Sequence, residues 1–332
     1  GIPFRRLWLR SLRSTELDLH AMLDPLRLAV SIPQATAMLA RRRPDAILST
    51  GGYVAIPTLV AATLLRVPAL LWEGNLVPGR STRLAARFAR LVTVSFTATC
   101  ERLSGVRTCL TTGTPVRAFP GGDRVAARAR LELPADRPCL LVFGGSQQVR
   151  RFDAALDAAL PRLVERATVV HVAGQAGLPA ALARRHALAE PWRSAYRPFA
   201  FLGTEMADAL VAADLVVGRA GSSTLAEVAA AGRPMIVVPY PHAAGHQRAN
   251  AAAMAAAGAA RLVPDEAFDG SALIDAAALL DDPPRLAAMA AAARRLGRPG
   301  AASATAELLL ALAAGRPLPS AEAIERLAAG VA

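Results

Sequence analysis

The chain has 332 residues, a formal net charge of +12, and 53% hydrophobic but only 5% aromatic residues. This length allows two domains, and the many alanines favour a helix-rich α/β protein with aliphatic cores. Every basic residue is an arginine, and such a positive chain favours anionic partners such as phosphates or an anionic membrane surface. The sequence shows no zinc motif, RNA-binding signature or aromatic-interleaved basic run, so nucleic acid is not an expected partner.

The cysteines at positions 100, 109 and 139 have neither metal-binding nor disulfide spacing. We expect Cys100, Cys109 and Cys139 to be small, buried and reduced side chains. No apolar run reaches the length of a membrane span, and no signal peptide is visible. The pattern therefore predicts a soluble or peripheral protein.

Apolar runs alternate with helical patterns in both halves of the chain, which predicts parallel, doubly wound sheets. Strands are expected at 4–9, 46–49, 68–72, 91–94, 107–110, 139–143, 168–172, 198–202, 215–217 and 235–238. The longer helices are expected at 24–40, 55–65, 80–90, 149–165, 177–188, 204–212, 272–280, 282–297, 302–314 and 319–330. The predicted division is an N-terminal domain over 1–117, a Gly/Pro/Arg-rich linker over 118–137 and a C-terminal domain over 138–315. The last helix, within 316–332, is a candidate to pack back on the N-terminal domain.

Residues 214–250 carry the most informative pattern. A buried run at 215–217 enters a Gly/Ser turn, which leads to a helix over 225–231 and a second buried strand. The N-cap chemistry of that helix is offered by the hydroxyls of Ser222, Ser223 and Thr224. Because a helix N-terminus carries unpaired N–H groups and the positive end of the dipole, this βαβ unit suits a phosphate. Glu227, one turn into the helix, is placed to reach a ribose diol beside that phosphate.

The same stretch resembles the donor-sugar motif of the MurG-type N-acetylglucosaminyltransferases of peptidoglycan synthesis. That motif reads R-x-G-x-x-T-x-x-E, then A-A-A-G-x-P and a loop that bears histidine and glutamine. The matching positions are Arg219, Gly221, Thr224, Glu227, 229–232, Pro234, His242 and Gln247. The resemblance implies the GT-B fold, in which two Rossmann-like, doubly wound parallel-sheet domains face a ligand-binding cleft. The alternative is an ordinary βαβ crossover in which Glu227 is a solvated helix residue.

The resemblance implies an inverting transfer of N-acetylglucosamine from UDP-N-acetylglucosamine (UDP-GlcNAc) to undecaprenyl-diphospho-muramoylpentapeptide (lipid I), which gives lipid II. Ser223, Thr224, Glu227 and Gln247 are then expected to bind the donor. The implied partners are UDP-GlcNAc, lipid I and anionic lipids at the cytoplasmic face of the cell membrane. No metal or cofactor is expected, because enzymes of this fold neutralise the departing diphosphate with side chains and backbone dipoles.

Three further stretches extend the resemblance at the donor side. The loop at 144–147 matches G-G-S-Q-G, with Gln148 in place of the last glycine, and implies that Ser146 binds the diphosphate. Residues 114–117 resemble the family's N-P-V-R, with Thr114 in place of the asparagine, so Arg117 is expected to pair with the diphosphate, unless it is a plain surface arginine. Leu202 matches the segment that receives uracil, which is also ordinary core at a strand–helix junction.

Two stretches extend the resemblance on the N-terminal side. Residues 72–75 stand where the family has H-E-Q-N, with Trp72 replacing the histidine. Asn75 is expected to bind substrate, and Glu73 is a candidate for proton transfer; simple loop chemistry is the alternative. Helix 80–90 places four arginines on one face beside Leu84 and Phe88. The family docks on anionic lipid with such a patch, whereas the alternative is a helix that packs on its own sheet.

Members of this family begin with a strand and a glycine-rich loop that ends in histidine, and the sequence, which begins at Gly1, lacks that loop. We therefore expect a fragment without the first strands, and the resemblance places the probable general base in the missing loop. Glu73 is the catalytic candidate within the chain. Two other functions stay open: another lipid-acceptor glycosyltransferase of the same superfamily, and a non-catalytic UDP-sugar-binding subunit. A UDP-sugar epimerase is less favoured.

Overall fold

The computed structural model describes residues 3–9, 19–117, 119, 123–144, 150–241 and 245–331. The chain forms two compact units. The first unit comprises residues 1–114 and 300–332, and the second comprises residues 115–299. The sequence-based division placed these boundaries at 118–137 and at 315, and the packing described below accounts for both differences.

The first unit contains a four-stranded parallel sheet in the order β1-β2-β3-β4. Its strands are β1 (Ile47–Ser49), β2 (Ala69–Glu73), β3 (Leu91–Val94) and β4 (Cys109–Thr111). Its helices are α1 (Leu19–Arg41), α2 (Ala55–Leu64) and α3 (Arg80–Ala85), followed near the C-terminus by α13 (Ala301–Ala313) and α14 (Ala321–Ala329). All four residues of β3 are buried, as expected for a parallel strand that is covered on both faces.

The C-terminal helices α13 and α14 cover one face of this first sheet. Leu70 and Leu91 of the sheet form a buried cluster with Leu308 of α13 and Ile324 of α14. The sequence placed the helix over 302–314 in the C-terminal domain, but its apolar face packs in the first unit. Helical periodicity shows which face of a helix is apolar, whereas it does not show which sheet will cover that face.

Two predictions for the first unit differ from the structure. Residues 3–9 form no strand, and Phe4 is 88% exposed. The helix predicted over 80–90 ends as an α-helix at Ala85 and continues as a 3₁₀ turn, Ala86–Phe88. This tighter turn lets the chain enter β3 at Leu91, which is fully buried.

The prediction of three reduced cysteines is wrong for two of them. Cys100 lies in a 3₁₀ segment, Thr97–Arg102, and forms a disulfide with Cys109 at the start of β4. The 3₁₀ segment and the following turn bring the two Cα atoms to 5.8 Å, a separation that a disulfide can span. Cys139 is free and buried, and burial raises the pKa of its thiol to about 12.

The second unit contains a six-stranded parallel sheet in the order β10-β9-β8-β5-β6-β7. Its strands are β5 (Cys139–Phe143), β6 (Thr168–Val172), β7 (Tyr196–Phe199), β8 (Leu215–Gly218), β9 (Met235–Val237) and β10 (Ala260–Leu262). Its helices are α4 (Arg124–Arg130), α5 (Arg150–Arg166), α6 (Gly174–Ala187), α7 (Glu190–Arg193), α8 (Glu205–Ala212), α9 (Ser222–Ala230), α10 (His246–Ala256), α11 (Gly270–Ala277) and α12 (Pro283–Leu296). Two large apolar clusters cover the two faces of this sheet.

Helix α4 lies inside the segment predicted to be a linker. Asp123 caps it by accepting hydrogen bonds from the N–H groups of Val125 and Ala126. Arg128, which is buried, donates to Asp214 Oδ2 at 2.8 Å, and Arg124 pairs with the other oxygen of the same carboxylate. The arginine-rich composition favours exposure, but one carboxylate pairs with two of these arginines and joins α4 to the second unit.

Candidate functional site

The strand order places a binding crevice at the carboxyl ends of β5 and β8. The chain runs from β5 outward to β6 and β7, and then returns to the other side of β5 to form β8. Ligands of open parallel sheets bind outside the carboxyl ends of the strands where the order reverses in this way. Gly144, directly after β5, and the turn after β8 therefore lie at the predicted binding position.

The turn after β8 leads directly into α9. Gly221 is the N-cap residue, with an extended backbone, and Ser222 is the first helical residue. The helix thus begins three positions earlier than the predicted 225–231, because Gly221 rather than a hydroxyl residue occupies the N-cap position, without a side-chain cap. Ser223 is exposed and Thr224 is half-buried, so both stand in the first turn, where N–H groups and the helix dipole favour an anion.

Glu227 is held by Arg117. The Arg117 Nε atom donates to Glu227 Oε1 at 2.7 Å, and Nη1 of the same guanidinium donates to Gly203 O at 2.6 Å. The Glu227 side chain is 16% exposed and that of Arg117 is 40% exposed. The sequence described Glu227 as either a ligand-binding carboxylate or a solvated helix residue; it is a half-buried carboxylate with a cationic partner.

Leu202 lies beside this pair of residues. It is buried, while the neighbouring Phe201 is 75% exposed and Gly203 supplies the carbonyl that Arg117 contacts. Met206, in the first turn of α8, is also buried. The structure thus brings the expected uracil segment, the expected diphosphate arginine and the expected ribose carboxylate to one place in the second unit.

Gln247 belongs to the first turn of α10, after β9. Its Oε1 atom accepts a hydrogen bond from the backbone N–H of Tyr240 at 2.9 Å. This bond fixes the amide and leaves its NH₂ end available to donate to a hydroxyl. Ser146, Gln148 and His242, which the sequence also singled out, lie outside the described residues.

Arg219 has surroundings that the sequence did not predict. Its side chain is 7% exposed and forms an ion pair with Asp265. The guanidinium carbon lies 4.8 Å from the centre of the Phe152 ring and 5.4 Å from that of Tyr240. The motif marks Arg219 as its first residue, but only the fold brings these three partners together.

A separate group of polar residues lies at the carboxyl ends of β2 and β3 in the first unit. Glu73 is buried, and its Oε1 accepts from the backbone N–H of Asn75 at 2.8 Å and from Asn75 Nδ2 at 3.0 Å. Thr99 Oγ1 donates to the carbonyls of Asn75 and Leu76. These contacts shape the loop 73–76, and they match the loop-chemistry interpretation of Glu73 closely. Trp72, at the position of the usual histidine, donates from Nε1 to Gly113 O at 3.0 Å.

The basic segment at 80–90 has exposed arginines and a packed aromatic side chain. Arg80, Arg83, Arg87 and Arg90 are all exposed. Leu84 is 41% exposed, whereas Phe88 packs against the apolar cluster of α2 and the sheet. The arginines and Leu84 therefore face solvent, and the aromatic side chain contributes to the core.

Comparisons with known proteins show the family of this chain. The model of the glycosyltransferase family 28 C-terminal domain matches residues 139–305, and that of the family 28 N-terminal domain matches residues 1–94. A Chlorobaculum tepidum protein named UDP-N-acetylglucosamine--N-acetylmuramyl-(pentapeptide) pyrophosphoryl-undecaprenol N-acetylglucosamine transferase is 40% identical over 287 residues, 86% of this chain and 77% of the relative. The protein of that name from Moorella thermoacetica is 39% identical over 286 residues, 83% of this chain and 76% of the relative. This chain belongs to glycosyltransferase family 28.

Solved structures place the family 28 chain among GT-B proteins. The crystal structure of Acinetobacter baumannii MurG has a TM-score of 0.72 and 28% identity, and the match covers 93% of this chain and 85% of that chain. The structure of Staphylococcus aureus MnaA with UDP has a TM-score of 0.63 at 14% identity, over 92% and 86% of the two chains, and shows the shared fold alone. The predicted GT-B class, with two parallel-sheet α/β domains, is confirmed.

Two further observations concern membrane-spanning helices and metal-binding clusters. No helix within the described residues combines the length and the apolar character that a membrane span requires. Nor do those residues include a group of three or more histidine, cysteine or acidic side chains arranged to hold a metal ion.

Proposed function

We propose that this family 28 chain transfers N-acetylglucosamine from UDP-GlcNAc to the 4-hydroxyl of lipid I, with inversion at the anomeric carbon. The observation that carries this proposal is the meeting of Arg117, Gly203 and Glu227 at the N-terminal part of α9. The relatives named for this reaction, at 39–40% identity over more than four fifths of the chain, support it.

The donor is proposed to bind in the second unit. Glu227 accepts hydrogen bonds from the ribose hydroxyls, and uracil lies against Leu202. The diphosphate takes Arg117 as its cationic partner and the first turn of α9, with Ser223 and Thr224, as its source of N–H and O–H donors. Ser146 supplies a further hydroxyl, and Gln247 donates to a hydroxyl of the sugar.

The chemical step requires stabilisation of the departing UDP. The acceptor 4-hydroxyl oxygen attacks the anomeric carbon, the bond from that carbon to the diphosphate oxygen breaks, and the hydroxyl proton passes to a general base. Arg117 and the α9 N-terminus offset the negative charge that develops on the diphosphate, since they are placed before the reaction begins. This role of side chains and backbone dipoles is the proposed substitute for a metal ion.

The acceptor is proposed to contact the loop 73–76 of the first unit. Asn75 has an amide that can bind an acceptor oxygen, and Glu73 is the carboxylate nearest to it in sequence. Because Glu73 Oε1 already accepts two hydrogen bonds from Asn75, its proposed part is to orient Asn75 rather than to take the proton. The exposed arginines of 80–90, with Leu84, are proposed to hold the protein at an anionic membrane surface, where lipid I is located.

A binding panel tests the donor assignment. Calorimetric titration of the full chain should show binding of UDP and UDP-GlcNAc, and ADP-glucose should bind at least about tenfold more weakly because the uracil segment fits a pyrimidine. Equal affinity for ADP-glucose, or no binding of UDP, would overturn the donor assignment. The alternative of a non-catalytic UDP-sugar-binding subunit predicts the same panel without turnover, so it is distinguished by the transfer assay described in the Discussion.

A further inference from the structure

One arginine side chain contacts the elements that follow four neighbouring strands. Arg219 itself follows β8, and its Nη1 donates to Val238 O, beyond β9, at 3.4 Å. Its guanidinium lies against the rings of Phe152 in α5, which comes after β5, and Tyr240, which comes after β9. Its ion-pair partner, Asp265, comes after β10 and also pairs with Arg151 Nε at 3.2 Å. The carboxyl ends of β5, β8, β9 and β10 are thus joined through one guanidinium.

This arrangement fits a positional role better than a role in stability alone. Burial of a charge carries a desolvation cost, and a buried ion pair is often replaceable by apolar residues without loss of stability. What an apolar residue cannot reproduce is the planar fork, which stacks on two rings and donates to a carboxylate at its edge. The geometry of the surrounding loops therefore depends on this side chain.

The contact with Tyr240 connects Arg219 to Gln247. Tyr240 presents its ring to the guanidinium and its backbone N–H to Gln247 Oε1, at 2.9 Å. A shift of Tyr240 would move the donor of that bond and release the Gln247 amide to rotate. The NH₂ end of the amide would then no longer point in one fixed direction.

We propose that Arg219 is a positioning residue for the sugar end of the donor, acting through Tyr240 to hold the Gln247 amide. The inference rests on the proposed function, in which Gln247 donates to a hydroxyl of the transferred hexosamine. On this inference, the donor site has a nucleotide-binding part and a sugar-binding part. Arg117 and Glu227 bind the nucleotide, whereas Arg219 and Gln247 determine how tightly the sugar adds to it.

The test compares UDP with UDP-GlcNAc on the full chain. Calorimetric titrations of wild type and Arg219→Lys should give UDP affinities within about twofold of each other, and UDP-GlcNAc binding weaker on the order of tenfold in the variant. Arg137→Lys is the matched control, because Arg137 also stacks on an aromatic ring, with its guanidinium carbon 5.4 Å from the centre of the Trp192 ring. It should leave both affinities unchanged.

A double-mutant cycle tests the route through Gln247. Gln247→Ala should show the same selective loss for UDP-GlcNAc, and adding Arg219→Lys to it should weaken binding no further. Additive losses of UDP-GlcNAc affinity in the double variant would overturn the inference. So would equal losses of affinity for UDP and for UDP-GlcNAc in Arg219→Lys. If Arg219→Lys does not fold, Tyr240→Leu, which keeps the Arg219–Asp265 ion pair, must show the selective loss for the inference to stand. Failure of wild type to bind UDP would instead overturn the proposed function, and this inference with it.

Discussion

Arg117 and Glu227 are joined by a 2.7 Å hydrogen bond from Nε to Oε1, although they lie 110 positions apart in the chain. Each residue was assigned by sequence to a different part of the donor, Arg117 to the diphosphate and Glu227 to the ribose. The structure joins the two assignments in one ion pair. On the proposed function, Arg117 contacts the diphosphate and Glu227 contacts the ribose from these neighbouring positions.

Removal of the Glu227 carboxylate should separate donor binding from stability. Charge-assisted hydrogen bonds contribute about 1.5–3 kcal/mol each before the competing water is counted, so Glu227→Ala should weaken UDP-GlcNAc binding on the order of 10- to 100-fold. The lost ion pair with the partly exposed Arg117 should cost only about 0.2–1 kcal/mol of unfolding free energy. Calorimetric titration, with thermal melts of both proteins, measures the two effects.

Glu132→Ala is the matched control for that variant. Glu132 is also ion-paired with an arginine of the second unit, Arg197, at 2.9 Å, and its side chain is 79% exposed. It should leave UDP-GlcNAc affinity unchanged. A large fall in the melting temperature of Glu227→Ala, sufficient to explain its weaker binding, would remove Glu227 from the proposed site.

The exposed arginines of 80–90 should govern binding to anionic membranes. Conversion of Arg83, Arg87 and Arg90 to glutamine should weaken binding to anionic vesicles by about 1 kcal/mol per arginine. Conversion of Arg162, Arg285 and Arg295 to glutamine is the matched control, because these arginines are exposed in the second unit and the change in net charge is the same. It should weaken vesicle binding less. Equal sedimentation of wild type and the first triple variant with vesicles would show that 80–90 is only a packed helix and turn.

His171 should make the stability depend on pH. It is fully buried, its Nδ1 lies 2.8 Å from the Tyr196 hydroxyl, and its Nε2 lies 3.5 Å from Asp153 Oδ1. Burial, followed by the nearby Arg184 charge, lowers the pKa of His171 from 6.5 to about 4. The unfolded chain therefore binds the proton first as the pH falls, and unfolding free energy decreases from pH 6.5 towards pH 4.

The size of this effect is about 3 kcal/mol, since each unit of pKa corresponds to about 1.4 kcal/mol. Burial raises the pKa of Asp153. In the pH range just above the ordinary pKa of an aspartate, the folded chain therefore binds this proton more readily than the unfolded chain does, and the contribution of Asp153 to the unfolding free energy opposes that of His171. Urea unfolding of wild type and His171→Gln across this pH range isolates the histidine. The variant should show a flatter dependence, and parallel curves would contradict the assignment.

Gly300 should tolerate no side chain. A Cβ atom added there would lie 1.9 Å from the carbonyl oxygen of Leu327 in α14, so the backbone at the start of α13 would have to move away from α14. Gly300→Ala should therefore lower the unfolding free energy by about 1–3 kcal/mol, the usual cost of overpacking. Gly79→Ala, where the nearest atom would be 4.0 Å away, is the control and should be tolerated in thermal melts.

The sequence predicted most elements of the second unit because each strand there is a short apolar run closed by turn residues. It also identified Arg117, Leu202, Glu227 and Gln247, which the fold places in the second unit. It missed the Cys100–Cys109 disulfide, because only the turn between them decides how closely two cysteines approach. It likewise missed the contacts of Arg219, since Phe152, Tyr240 and Asp265 come from three separate segments of the chain and share no local pattern.

Product analysis of a single reaction is the most direct test of the proposed sugar transfer. The full chain is incubated with UDP-GlcNAc labelled in the sugar and with detergent-solubilised lipid I, and the products are identified by nuclear magnetic resonance and mass spectrometry. We expect one lipid-linked disaccharide, with a β-linkage to the muramoyl 4-hydroxyl, for each UDP released. Conversion of the donor to its 2-epimer, release of UDP without lipid I, or donor binding without any turnover would each contradict it.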